Sequence, residues 1–268
     1  MTSLHVHPLT SHPAATLPVV ALGRVYFWQG GSLWIGRGQG RTDWHDHHAH
    51  QIALPLDGTC LFRSEADGGW TEFTGAFVHS HCHHQFEVEG LTVAHVFVEP
   101  ETLAGRALSR RFSDDDISPL GEPERGAMAA MLLAAYRAGV GEDEMVATAK
   151  GAVAALVGTS APGAIVDARI AKAIGYIREH IRGPISLADA AAVAALSPGR
   201  FRHLFVQETG AAFRAYLLWS RLSVAIACSM AGGSWTDAAH EAGFADSAHL
   251  TRTFKRMFGL SPATLVRQ

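Results

Sequence analysis

The last hundred residues use one device twice, and it limits what they can fold into. PISLADAAAVAALSPGRFRHLFVQETG, from Pro184, and SWTDAAHEAGFADSAHLTRTFKRMFGLSP, from Ser234, each read as a short helix, a tight turn and a second helix. Ser186 with Asp189, and Ser234 with Asp237, have the three-residue spacing of a reciprocal cap. Ser197-Pro198 supplies an N-cap followed by proline at the first helical position, Asp246 caps the fourth helix, and Gly243 sits where the second turn must be tight. In the first pair Phe201, Leu204 and Phe205 share one face of the second helix, leaving Gly199, Arg200, Arg202, His203 and Val206 to point elsewhere. In the second pair Leu250, Phe254 and Met257 form that face. Ser247, Ala248, His249 and Arg252 share the other, and Lys255 and Arg256 lie near the end, where phosphates would be met. Helices over 167–181 and 211–229 precede and join the two pairs. Such a unit buries one side of each short helix and keeps the other free to read a duplex.

The net charge of −3 is the wrong sign for a polyanion binder until the chain is divided near Pro162. Residues 1–164 hold 10 Lys and Arg against 18 Asp and Glu, a balance of −8, while residues 165–268 hold 12 against 7, or +5. A basic C-terminal unit suits phosphates, although ordinary surface variation would give the same figures.

AGFADSAHLTRTFKRMFGLSP resembles the signature of the AraC/XylS family of transcription regulators, and LSPGRFRHLFVQETG resembles that family's first motif. The similarity runs from about Val166 to Gln268 without a visible gap. It implies two helix-turn-helix subdomains bridged by the long helix, and sequence-specific binding of double-stranded DNA. Contact with RNA polymerase and a homodimer are also expected, as is an activator's role, with repression left open by the residues. Carried over by position, base reading falls to Gly199, Arg202 and His203 in the first recognition helix and to Ser247, Ala248, His249 and Arg252 in the second. Arg200, Lys255 and Arg256 complete the DNA-contacting set. Arginine grips guanine O6 and N7 in bidentate fashion, which singles out Arg202 and Arg252. Gly199 and Ala248 carry no side-chain donor, and Ala195 replaces the family's usual turn glycine. The competing reading is a helical bundle with incidental arginines.

The N-terminal part reads differently. Short apolar and aromatic runs from Val25 to Val98 (VYFW, SLWI, QIALPL, CLF, AFV, TVAHVFV), separated by Gly and Asp turns, predict an antiparallel β domain. Helical patterns follow over 101–111, 123–138 and 142–157, and Ser160-Ala161-Pro162-Gly163 punctuates as a linker. The expected fold class is α+β: a cupin-like β-barrel over 1–100, a helical linker or dimerisation segment over 101–164, and the DNA-binding domain over 165–268. The barrel rests on a resemblance: His45-x-His47-x-x-x-Gln51, with Gly58 beyond, matches the first cupin motif, with Gln51 where metal-binding cupins carry Glu. FTGAFVHSHCHHQFE stands where the second motif is expected, with His84 at its histidine position.

Histidines crowd these two segments: His45, His47, His48 and His50, then His79, His81, His83 and His84. Strand alternation would point His45 and His47 one way, His48 and His50 the other, and align His79, His81 and His83. Converging imidazoles suit Zn²⁺, Ni²⁺, Co²⁺ or Cu²⁺, with His45, His47 and His84 as inner ligands and Gln51 or His81 as the fourth. The alternatives are a pocket for a small organic effector, solvated histidines with no ligand, a metal-dependent cupin enzyme fused to a DNA-binding unit, or a His-rich metal buffer. No nucleophile–base pair or phosphate loop is evident, so the chain is not read as an enzyme.

The apolar sides of the 123–138 and 142–157 helices (Met128, Met131, Leu132, Ala135; Val146, Val153, Leu156) either pack against the β domain or form a dimer seam. No apolar run approaches the ~20 residues that span a bilayer. MTSLHVHPLTSHP lacks the order of a signal peptide, and three cysteines are too few for a disulfide framework, so a cytoplasmic protein without a membrane partner is expected.

Overall fold

In a computed structural model, the structure describes residues 8–9, 20–65, 68–113, 115–158 and 166–267. The predicted linker over 160–163 lies outside them. The N-terminal part is a sheet built on one long strand. Its elements are β1 (Pro8–Leu9), β2 (Val20–Trp28), β3 (Gly31–Arg41), β4 (His50–Pro55), β5 (Cys60–Ser64), β6 (Trp70–Phe73), β7 (Ala76–Val78) and β8 (His84–Val98). β8 has 15 residues and pairs antiparallel with β3, β4 and β5 along different stretches, which suits its Val- and Phe-rich sequence. β2 and β3 form a hairpin with Val25 opposite Trp34, turning at Gly30, whose φ of +88° favours glycine.

The helices α1 (Leu103–Arg111), α2 (Glu124–Ala138) and α3 (Glu142–Val157) follow, with the short strand β9 (Ile117–Pro119) before α2 pairing with β7. Met128 and Leu132 of α2 and Met145, Ala149, Val153 and Leu156 of α3 are buried in one core with Leu33, Ile52 and Phe77 of the sheet. These apolar sides pack within the chain. Met131, expected among them, is 42% exposed.

The C-terminal elements are α4 (Ala168–Glu179), α5 (Leu187–Val193), α6 (Pro198–Thr209), α7 (Phe213–Met230), α8 (Trp235–Glu241), α9 (Ser247–Phe258) and β10 (Leu265–Arg267). The chain is α+β, as expected. Its C-terminal helices divide between two cores. Ile170, Ile174, Phe201, Phe205, Phe213 and Tyr216, from α4, α6 and the start of α7, form a core of their own. Leu250, Phe254, Met257 and Phe258 of α9 are instead buried in a core that includes Ala49 and Phe97 of the β domain, with Trp34 packed against it. β10 joins β2 as a parallel strand, Leu265 opposite Ala21. No single helix among the described residues is long and apolar enough to cross a membrane.

Candidate functional site

Both predicted helix pairs form, each with its caps in place. The Ser186 hydroxyl accepts the Asp189 N–H while the Asp189 carboxylate accepts the Ser186 N–H, a complete capping box at the start of α5. Ser197 caps α6 with Pro198 at its first position, Ser234 caps α8, and Asp246 caps α9 by accepting the His249 N–H at 2.6 Å. The two turns differ. Gly243 holds φ +74° and approaches α4 so closely that a Cβ would stand 2.6 Å from the Ile181 carbonyl oxygen. In the first turn Ala195 holds φ +53°, a conformation that costs an L-residue roughly 1–2 kcal/mol.

On α6, Gly199, Arg200, Arg202 and His203 are all exposed, opposite the fully buried Phe201 and Phe205. Val206 shares the exposed side. On α9, Ala248, Arg252, Lys255 and Arg256 are exposed, while Ser247 and His249 are half-buried, His249 with its ring against Phe244 at 5.2 Å. α7, of 18 residues, joins the pairs over about 27 Å, of the order of the ~34 Å between successive major-groove segments. Arg221 of α7 braces the arrangement by donating to the carbonyls of Ile181 at 3.3 Å and Gly183 at 2.7 Å beyond α4.

The histidines sort into distinct environments. His45, His47 and His84 come together, with ligand nitrogens all within 4.8 Å of one another, and are 5%, 2% and 0% exposed. Strand alternation is not the cause. Residues 43–47 are loop, and His45 meets His84 through an isolated antiparallel bridge at the start of β8. In all three rings Nδ1–H donates to a backbone carbonyl two residues away: His45 to Asp43 at 2.9 Å, His47 to Ala49 at 2.7 Å and His84 to Cys82 at 2.9 Å. Each ring is thereby oriented, the pattern by which outer partners prepare histidines for a metal, although Nε2 of His47 is engaged by the Gln51 amide. His84 Nε2 is buried with no hydrogen-bond partner. Burial, reinforced by the neighbouring rings, lowers the pKa of His45 to about 3 and that of His84 well below the usual imidazole value; burial lowers His47 too. These shifts favour the neutral, ligating form of all three. The donor set fits a transition-metal ion of the Zn²⁺, Ni²⁺, Co²⁺ or Cu²⁺ class.

Of the two residues considered for a fourth donor, Gln51 is adjacent, its amide bridging His47 Nε2 at 2.9 Å and His95 Nδ1 at 2.8 Å. His81 is not in the group. It turns back at φ +60°, and its ring lies 3.6 Å from the half-exposed Asp46 carboxylate. The expected alignment of His79, His81 and His83 fails because 79–83 is mostly turn: His79 donates to the Phe112 carbonyl, and His83 pairs with Glu65 at 2.7 Å. His48 serves a separate junction, donating to the buried Glu101 at 3.0 Å with its ring 5.1 Å from Tyr216 of α7.

Comparison with known proteins bears on the C-terminal unit most directly. A helix-turn-helix domain family matches residues 190–268. Over 100 residues the chain is 31% identical to the uncharacterized HTH-type transcriptional regulator YidL of Escherichia coli (strain K12), covering 37% of this chain and about a third (34%) of that protein. The C-terminal unit is an AraC-type helix-turn-helix domain. The fold as a whole is similar to that of ToxT from Vibrio cholerae O395, with a TM-score of 0.59 at 11% identity over 88% of this chain and 96% of that one. It is also similar to unsaturated fatty acid bound ToxT from Vibrio cholerae strain SCE256, with a TM-score of 0.53 at 12% identity over 87% and 92%.

The two halves of the AraC-type unit meet the β domain in different ways. The first is tied by polar contacts, Arg106 of α1 to Glu208 of α6 at 2.7 Å and Arg178 of α4 to Glu99 at 3.4 Å. The second is docked. Phe258 packs its ring 4.7 Å from that of Trp34 and 5.8 Å from that of Phe97, the Asp43 N–H donates to the Gly259 carbonyl at 2.7 Å, and Lys255 pairs with the Asp43 carboxylate at 3.0 Å. Asp43, Phe258 and Gly259 were invisible to sequence reasoning, since their partners lie some two hundred residues away along the chain. A cavity of about 130 Å³ also lies at this junction, lined by apolar residues such as Val88, Val93, Leu260 and Leu265, and reaching His45 and His47.

Proposed function

We propose that the chain is a sequence-specific, DNA-binding transcriptional regulator in which α6 and α9 read successive major-groove segments, and that its input is a transition-metal ion held by His45, His47 and His84. The DNA reading is supported by two capped helices, each pinned by a buried aromatic face and each leaving arginine exposed. Arg202 and Arg252 read guanine, Arg200, Lys255 and Arg256 meet phosphate, and His203, Ser247 and His249 complete the base-facing set around the small Gly199 and Ala248. One chain carries both reading heads, so two groove segments need no second copy. Residues up to about 100 form the sensory domain, 101–164 the helical connection and 165–268 the reader.

Selection of a preferred duplex from a random library tests the first half. Arg202→Ala and Arg252→Ala should each weaken the selected site by about 1–3 kcal/mol, with smaller losses on unrelated duplex. A chain that selects no sequence would overturn it.

The metal reading rests on three buried imidazoles, each oriented by a backbone carbonyl, with ligand nitrogens within 4.8 Å of one another. One equivalent of Zn²⁺, Ni²⁺, Co²⁺ or Cu²⁺ should bind and be lost in His45→Ala/His47→Ala. Indifference to all four ions would defeat it. A second reading is favoured by the apolar cavity beside the trio, of a size that holds a benzene-sized group. An apolar carboxylic acid, the kind of ligand present in the fatty acid bound ToxT structure, would enter it. Native mass spectrometry of the purified protein distinguishes ion from acid by mass.

A further inference from the structure

The geometry points to an inhibitory latch, in which an ion on His45, His47 and His84 holds the second recognition helix against the β domain and keeps its basic end from DNA. This rests on the metal reading of the trio. The loop that supplies two of the three histidines is also the loop that grips α9. His45 donates through Nδ1 to the Asp43 carbonyl at 2.9 Å, and the next groups on Asp43 hold the helix end: its N–H takes the Gly259 carbonyl at 2.7 Å and its carboxylate takes Lys255 at 3.0 Å. Gly259, the C-cap of α9 at φ +66°, lies so close that a Cβ would stand 2.2 Å from the Asp43 oxygen and 2.7 Å from His45 Nδ1. A single hydrogen bond therefore separates a ligand of the inferred ion from the end of the helix.

The direction of the effect follows from the lone pairs. Without an ion, three imidazoles crowd one buried space and Nε2 of His84 has no hydrogen-bond partner, so the loop gains by opening and carries Asp43 away from α9. An ion takes one nitrogen from each ring and closes the loop. In the closed state Lys255 is paired with Asp43, and Arg252 and Arg256 line a surface depression together with Asp43, Trp44 and Gln85 of the β domain. Phosphates must compete with that carboxylate. Among the described residues no carboxylate pairs with Arg200 or Arg202 of the first recognition helix, so the ion acts on one reading head alone. Because binding free energies are reciprocal, DNA weakens the ion by the factor by which the ion weakens DNA.

The test uses the full chain with Co²⁺ as spectroscopic probe and Zn²⁺ as ligand, reading three quantities: Co²⁺ absorption, hydrogen exchange over 247–258 and over 198–209, and affinity for the selected duplex. One equivalent of Zn²⁺ should slow exchange over 247–258 about tenfold, leave 198–209 unchanged and weaken the duplex about tenfold. His45→Ala/His47→Ala should abolish Co²⁺ absorption and both effects. Gly259→Ala, which pushes the helix end from Asp43 and His45, should lose the protection of α9. Asp43→Asn, which keeps the backbone contacts and removes the Lys255 ion pair, should keep the absorption and bind duplex more tightly than the parent when metal is present. Co²⁺ absorption with unaltered exchange over 247–258 and unaltered duplex affinity would overturn the latch and leave the metal site standing. Absence of Co²⁺ absorption, with no binding of Zn²⁺, Ni²⁺ or Cu²⁺, would overturn the metal site and the latch with it.

Discussion

The two helix-turn-helix halves each have side-chain caps, similar lengths and an exposed arginine, yet they are anchored differently. The first closes its own core around Phe201, Phe205 and Tyr216 and touches the β domain through polar pairs and the ring of His48 against Tyr216. The second shares its core with Phe97 and Trp34 and ends in a strand added to the β sheet. One helix pair thus has a core of its own, and the other shares a core with the β domain. A change in the β domain has a direct mechanical path to α9 and a much weaker one to α6.

The largest effect should come from cutting that path. Phe258→Ala removes a buried ring from the shared core, a loss of about 3–5 kcal/mol, and calorimetry should show the β domain and the second half destabilised together. Phe201→Ala, of similar size, should lower only the first half's transition. If Phe258→Ala leaves the β domain's melting unmoved, the halves are anchored alike.

The turns sharpen the contrast. Gly243→Ala meets both a positive φ and the Ile181 carbonyl, so urea unfolding should show a loss of roughly 2–3 kcal/mol. Ala195→Gly relieves φ +53° and should gain a few tenths of a kcal/mol, about 0.5, after the added freedom of the unfolded chain is counted. Lys255→Ala should produce the smallest change, reducing the slope of log affinity against log salt by about 1.

Local chemistry explains what was legible beforehand. Ser186, Ser197, Ser234 and Asp246 mark helix starts because a capping oxygen acts on its own next turn, and the long helices follow the 3.6-residue period almost to their observed ends. The trio of His45, His47 and His84 was legible by motif resemblance, although the reason given from strand alternation did not hold. Elsewhere the sequence is silent because the determining contact is remote. The apolar residues Trp34 and Phe97 read as ordinary β core, and nothing in them tells that the surface they build is covered by Phe258. β10 is three residues long, too short for alternation to show, and needs β2 to exist. His81 leaves the histidine group through a left-handed backbone turn that its sequence neighbours do not announce.

Hydroxyl-radical footprinting of the selected duplex bears most directly on the claim that α6 and α9 are two reading heads on one chain. Two protected segments centred about 10 base pairs apart are expected, the first lost in Arg202→Ala and the second in Arg252→Ala. A single protected segment, weakened alike by either substitution, would contradict it.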